Sequence, residues 1–180
     1  MTNEISQAVT VLKAGGIIVY PTEGVYGIGC DFCCERAVKK VLSIKQRLVD
    51  QGLILIAANW EQAQFLIKDK LINLAVRKNH APITWVFKAS PIVPRWITGK
   101  FDSVAIRVTT HPEANLICQR FGKPIVSTSA NLSGKVPPFK FEQLSSEILE
   151  KVDLAVKGEV EGSGKASVIC DAISGKIYRR

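Results

Sequence analysis

The stretch AVKKVLSIKQRLVDQGLILIA, from Ala37 to Ala57, carries two hydrophobic patterns in succession. Ala37, Val38, Val41, Leu42 and Ile44 recur at helical spacing with Lys39 and Lys40 on the outside, so the first half reads as an amphipathic helix. Leu53 to Ala57 is an unbroken apolar run, the pattern of a strand buried on both faces. Helices packed on two sides of a sheet bury a strand in this way, which places the chain in the α/β class.

The same patterns extend in both directions. Ile5, Ala8, Val9 and Leu12 predict an opening helix, with Asn3 as its cap and Gly15-Gly16 as its stop. Residues 17–20 form a short apolar strand halted by Pro21, and a glycine-punctuated polar loop runs from Thr22 to Asp31. Further strands are expected at 83–87, 103–108, 124–126, 154–156 and 167–170, with helices at 61–68, 70–77, 112–121 and 141–151. Residues 135–139 read as a flexible loop. Strands and helices interleave, so the expectation is a single α/β domain over residues 1–180, a twisted mixed sheet with flanking helices.

Composition narrows the class. Hydrophobic residues make up 47% of the 180 and charged residues 22%, the balance of a folded globular chain. No apolar run reaches the roughly eighteen residues of a membrane span. The start, Met-Thr-Asn-Glu, has an acid where a signal peptide carries bases. A soluble cytoplasmic protein without membrane contact is therefore expected. The net charge of +8 is dispersed and suits either polyanionic partners or simple solubility. Cys30 and Cys33 form one Cys-x-x-Cys, but no second pair and no His-x-x-x-His completes four ligands, so no zinc is expected. Cys30, Cys33, Cys34, Cys118 and Cys170 read as reduced thiols.

Three places put polar groups where elements end, which is where α/β proteins bind ligands. Lys45 and Arg47 share a side if the chain there is extended, and two adjacent cations suit a polyphosphate; they equally suit the C-terminal dipole of a helix. The segment PIVSTSANLSG (Pro124–Gly134) runs from apolar residues into hydroxyls and amides. If extended, it places Ser127, Ser129 and Asn131 on one side, to hold phosphate and ribose oxygens, although such residues also build turns and caps. In Ser103–Val108, Val104, Ile106 and Val108 alternate with Ser103, Ala105 and Arg107. An arginine there needs an anionic partner, either a structural carboxylate or a substrate carboxylate. Gly162-Ser-Gly-Lys165 lacks the P-loop spacing, Gly24 to Gly29 lacks the dinucleotide-binding spacing, and two isolated histidines give no support to a hydrolase triad.

These segments together resemble the YrdC-type family of threonylcarbamoyl-AMP synthases in its short single-domain bacterial form. The matching stretches are YPTEGVYGIGCD (Tyr20–Asp31), IKQR (Ile44–Arg47), GLILIA (Gly52–Ala57), PRWITG (Pro94–Gly99), 103–108, 122–134 and 167–179. The resemblance implies a positively charged concave cleft. It also implies a reaction in which L-threonine and bicarbonate (or carbon dioxide) give a carbamate whose oxygen attacks the α-phosphate of ATP, releasing pyrophosphate. The product adenylate serves the threonylcarbamoyladenosine modification next to the tRNA anticodon, with tRNA and tRNA-modification proteins as partners. By resemblance, Lys45, Arg47, Ser129 and Asn131 are catalytic and, with Ser103 and Arg179, bind ATP. Thr22, Tyr26, Arg107, Ser127 and Ser167 bind threonine. Magnesium is expected to arrive with ATP, since no carboxylate cage stands out in the sequence.

Gly24 stands where many relatives carry threonine, Leu48 and Ala166 stand where prolines are usual, and Asn79-His-Ala-Pro82 replaces Trp-Pro-Gly-Pro. The alternative from another class is an RNA-binding or ribosome-maturation factor using the same basic cleft without chemistry. RNA grooves interleave basic and aromatic residues, and aromatics here are only 7%, which weighs against it. Larger carbamoyl-transferring relatives need zinc-finger and acylphosphatase-like domains for which 180 residues have no room.

Overall fold

A computed structural model describes residues 2–68, 82–162 and 164–179. The helix expected at 70–77 and the Asn79-His80-Ala81 departure lie outside the described residues. In chain order the elements are α1 (Thr2–Lys13), β1 (Ile17–Tyr20), β2 (Gly27–Cys30), α2 (Glu35–Ile44), β3 (Ile54–Ala57), α3 (Trp60–Ala63) and β4 (Ile83–Lys88). They continue with α4 (Arg95–Thr98), β5 (Ser103–Val108), α5 (Pro112–Phe121), β6 (Ile125–Ser129), α6 (Ser146–Leu149), β7 (Leu154–Ala155), β8 (Val168–Asp171) and β9 (Ile177–Arg179).

Among the described residues the strands make one sheet in the order β7-β1-β2-β6-β3-β5-β4-β8-β9. It is mixed: β1–β7, β3–β5 and β4–β8 are parallel pairs, and the remaining neighbours are antiparallel. Successive side chains on a strand face opposite ways, and both directions are covered around β1 and β3. Ile18, Tyr20 and Ile56 pack with α1 and α5 through Ile5, Leu12, Ala114 and Ile117. Ile17, Val19 and Leu55 pack on the other face with Val38 and Val41 of α2 and Ile97 of α4. The doubly buried reading of residues 53–57 therefore holds for Leu55, Ile56 and Ala57.

The α1/α5 layer leaves part of its face uncovered, and that determines where a ligand fits. Register lines up Ser127, Ile54, Ala105, Val86 and Asp171 as neighbours across β6, β3, β5, β4 and β8, and all five line one cleft. The cleft floor is thus the bare half of a sheet face whose other half is roofed by helices.

Several sequence expectations need correction. Asn3 is inside α1, not its cap. The loop expected from Thr22 to Asp31 contains β2, whose Gly27 and Gly29 lie beside Tyr20 and Ile18 of β1. A Cβ at Gly27 would stand 3.3 Å from the Tyr20 ring, and one at Gly29 would stand 3.0 Å from its hydroxyl and 2.0 Å from the Val126 carbonyl. The two glycines leave the space that this ring fills on its way to the Val126 carbonyl, to which the hydroxyl donates at 3.2 Å. A strand made possible by a tyrosine on its neighbour has no local hydrophobic signature. The helix expected at 61–68 is α3 followed by a 3-10 turn, and that at 141–151 is a 3-10 turn and then α6. The strand expected at 124–126 continues through Ser129, so the hydroxyl cluster is largely strand. All five cysteines are free thiols, Cys33 being the exposed one.

Candidate active site

The cleft encloses about 740 Å³ between the sheet, the loop after β1, the turn after α2 and the segment leading into β8. Its lining includes Thr22, Arg47, Ser103, Arg107, Ser127, Ser129, Ser167 and Arg179, eight of the eleven residues singled out from the sequence. Lys45, Tyr26 and Asn131 are not in the lining. The lining's charges are Arg47, Lys88, Arg107, Lys165 and Arg179 against Asp102 and Asp171.

The Lys-x-Arg segment is not extended. Lys45 caps α2 in helical geometry, and Gln46 takes a left-handed φ of 49° that reverses the chain. The amides of Gln46 and Arg47 donate to the Ser43 and Leu42 carbonyls, closing the helix end. After this reversal Arg47 lines the cleft while Lys45 is buried against the end of β6. The Lys45 ammonium donates to the carbonyls of Ser129 and Asn131 and, at 2.8 Å, to Asn131 Oδ1; Ser129 Oγ is 3.4 Å away. Asn131 Nδ2 donates to the Leu132 and Lys135 carbonyls. Lys45 and Asn131 therefore tie the end of α2 to the end of β6, where the Ser129 hydroxyl enters the cleft.

Burial, and secondarily the charge of Arg47, pushes the Lys45 ammonium down to about 8 from its ordinary 10.5. Burial also lowers Arg47. Arg179 is lowered by burial and then by Arg47 and Arg107, so Arg179 feels both of the other arginines. An anion placed among them relieves that repulsion. Anion binding also draws a proton onto Lys45, so affinity must fall as pH rises through the free value. We expect ATP affinity measured by calorimetry to be level below pH 7 and to weaken above about 8, and the decline to vanish in Lys45→Met. Because the folded value lies below the unfolded one, Lys45 by itself makes the fold more stable as pH rises from 8 to 10.5. The expected loss of binding is therefore not unfolding.

The three arginines differ in their partners. Arg47 donates to the Gly52 carbonyl at 2.8 Å and Arg179 to the Ser167 carbonyl at 2.9 Å, both neutral acceptors. Arg107 alone faces a carboxylate, with Nη2 3.4 Å from Glu23 Oε2. Glu23 also accepts from the Thr110 amide at 2.8 Å. Burial raises the Glu23 carboxyl, but Arg107 and several hydrogen bonds outweigh it and hold the group below its ordinary value. Glu23 was not singled out from the sequence, since nothing local marks a glutamate in a loop as the partner of a distant strand arginine.

One end of the cleft is bounded by Lys165, Ala166 and Ser167, at the close of a segment that runs through residues 156–162. Tyr26 Oη donates to the Gly158 carbonyl, His111 Nε2 lies 2.8 Å from the Glu159 carbonyl, and Ser167 Oγ is 2.8 Å from Thr84 Oγ1. A Cβ at Gly24 would stand 2.0 Å from the Lys165 carbonyl, and one at Gly162 equally close to the Glu23 carbonyl. A threonine at position 24 has no room under this segment as it lies. Thr22 Oγ1 donates to the Val25 carbonyl at 2.6 Å, keeping the loop after β1 tight against the cleft.

Fold and cleft define an α/β protein whose ligand site lies on the half-covered face of a mixed sheet, with two arginines free of carboxylates and one paired. A family model for Sua5, YciO and YrdC proteins, described as telomere recombination, matches residues 10–180, and the chain belongs to that family. It is similar to the threonylcarbamoyl-AMP synthase of Pseudoalteromonas translucida, 43% identical over 97% of this chain and 96% of the relative. The enzyme of that name from Escherichia coli is 45% identical over 98% and 95%. Among solved structures, P. abyssi Sua5 complexed with L-threonine is 34% identical with a TM-score of 0.85, covering 93% of this chain and 50% of that one.

Proposed function

We propose that this protein is a threonylcarbamoyl-AMP synthase acting on L-threonine, bicarbonate and ATP. The observation that carries the reading is the division of charge in the cleft. Arg47 and Arg179 have only neutral acceptors and suit a polyphosphate, whereas Arg107 is already half compensated by Glu23 and suits a single carboxylate. Ser127 and Ser167 lie in the lining with Arg107, and Ser103 and Ser129 add neutral donors toward the nucleotide.

The threonine amine and bicarbonate give a carbamate with loss of water. A carbamate oxygen then bonds to the α-phosphorus as the bond to the bridging oxygen breaks, and the electron pair leaves with pyrophosphate. Such transfers depend on positioning and on fixed donors at developing charge, so no nucleophilic side chain is required. Magnesium enters as part of the nucleotide substrate. Asp102 and Asp171 are the carboxylates of the lining that would meet it, Asp171 already accepting from the amides of Ile173 and Ser174 and from Tyr178 Oη. Tyr26 and Asn131 act on the reactants through the closing segment and the end of β6. The adenylate is then consumed by transfer to an adenosine of tRNA with the help of partner proteins. The test is incubation with MgATP, L-threonine and bicarbonate: pyrophosphate must form only when all three are present, together with a threonylcarbamoyl adenylate detected by mass. Pyrophosphate release that ignores threonine would overturn the reading.

A further inference from the structure

Glu23 is a buried carboxylate outside the cleft lining, in contact with one residue inside it. Its Oε1 is held by the Thr110 amide. Its Oε2 faces Arg107, and among the described residues neither that oxygen nor Arg107 Nε has a hydrogen-bond partner. The backbone of the loop carrying Glu23 lies close against Gly162 and Lys165, and the Thr110 amide holds the carboxylate at its other end. Glu23 can therefore act on a ligand through Arg107 and through the field of its charge, without touching it.

We propose that Glu23 is a positioning residue that orients the Arg107 guanidinium and makes this end of the cleft selective against phosphate. The inference rests on the reading that Arg107 takes the threonine carboxylate. A guanidinium fork binds phosphate as readily as carboxylate, and Arg179 lies near enough to Arg107 to be felt electrostatically. Without an opposing charge, pyrophosphate or free phosphate would occupy both ends of the cleft. The Glu23 carboxylate, 3.4 Å from Nη2 of the fork, repels a second anion at that fork, a dianion about twice as strongly as a monoanion at the same place, because Coulomb energy scales with charge. The threonine zwitterion, which also brings an ammonium, is penalised least. Selectivity thus arises from a residue that does not touch the substrate.

The experiment is calorimetric titration of the full chain with L-threonine at rising concentrations of inorganic phosphate. Phosphate should not compete in the unmodified protein. In E23Q, which keeps an acceptor for the Thr110 amide, threonine should bind about tenfold more weakly, the size of one lost charge-assisted contact, and phosphate should now compete with it. E23D keeps the charge and should keep phosphate out. R107K keeps both charges without the fork, so threonine should weaken while phosphate stays excluded. A merely structural Glu23 would change the melting temperature without changing this competition. Failure of phosphate to compete in folded E23Q overturns the proposal. If E23Q does not fold, E23D decides it, since competition by phosphate there overturns it equally. Threonine affinity unchanged in R107K would instead bring down the assignment of Arg107.

Discussion

Replacing Ser129 and Asn131 together with alanine is expected to reduce threonine-dependent pyrophosphate release by about a hundredfold or more, while the affinity for tRNA at fixed salt barely changes. The Ser129 hydroxyl lines the cleft, and the Asn131 side chain accepts from Lys45 and donates to the Leu132 and Lys135 carbonyls. The double change removes one donor proposed to meet the reacting phosphate. It also removes one of the ties that set the end of β6, leaving Lys45 only the two backbone carbonyls. Preorganised donors account for much of the rate in phosphoryl and nucleotidyl transfer, so misplacing them is costly. Both side chains are uncharged, and the net charge of +8 that attracts polyanions is unaltered. A protein that only bound RNA would lose about one hydrogen bond, roughly 0.5–1.5 kcal/mol. Pyrophosphate release that survives in the folded double variant, or tRNA binding that falls with it, would favour the binding module over the enzyme.

Arg107→Met is expected to have two large effects that can be measured separately. It leaves Glu23 as an unpaired buried carboxylate, and breaking one side of a buried ion pair costs about 3–5 kcal/mol, visible as a lower denaturant midpoint. It also removes the group proposed to hold the threonine carboxylate. Threonine at a hundred times its dissociation constant stabilises the unmodified protein by about 2.7 kcal/mol, and that protection should disappear. Threoninol, which lacks the carboxylate, should fail to protect even the unmodified chain. The two effects separate in Glu23→Gln/Arg107→Met, where the orphan charge is gone. Stability should largely return and threonine protection should not. Protection of that double variant by threonine would show Arg107 to be structural.

Some elements were legible from local pattern alone because local chain geometry imposes the pattern. Residues 17–20 and 103–108 match β1 and β5, and residues 112–121 match α5, each bounded by a proline, a period of two or a period of 3.6 with a following glycine. β2 was not legible, since its glycines carry neither hydrophobic signal nor strand propensity and depend on Tyr20 of another strand. Nor was β9, whose three residues are exposed at the sheet edge. The residue types of the cleft could be read because cations and hydroxyls gather where elements end, although each also has a structural use there. Their relation to one another could not.

By itself the sequence determined the α/β class through short-range pattern, and through its resemblance to a family it named eight residues that line the cleft. Tertiary structure decided how those residues divide the work. The left-handed turn at Gln46 sends Lys45 to the end of β6 and Arg47 into the cleft, although they are two positions apart. Strand register lines up Ser127, Ile54 and Ala105 on one floor, and α1 and α5 cover one part of that sheet face while leaving the other bare. Glu23 meets Arg107 only because the loop after β1 folds against the end of β5, and that meeting sets the charge of one end of the site. Electrostatic energy depends on distance in space, and two residues far apart along the chain have no defined distance until the sheet is assembled.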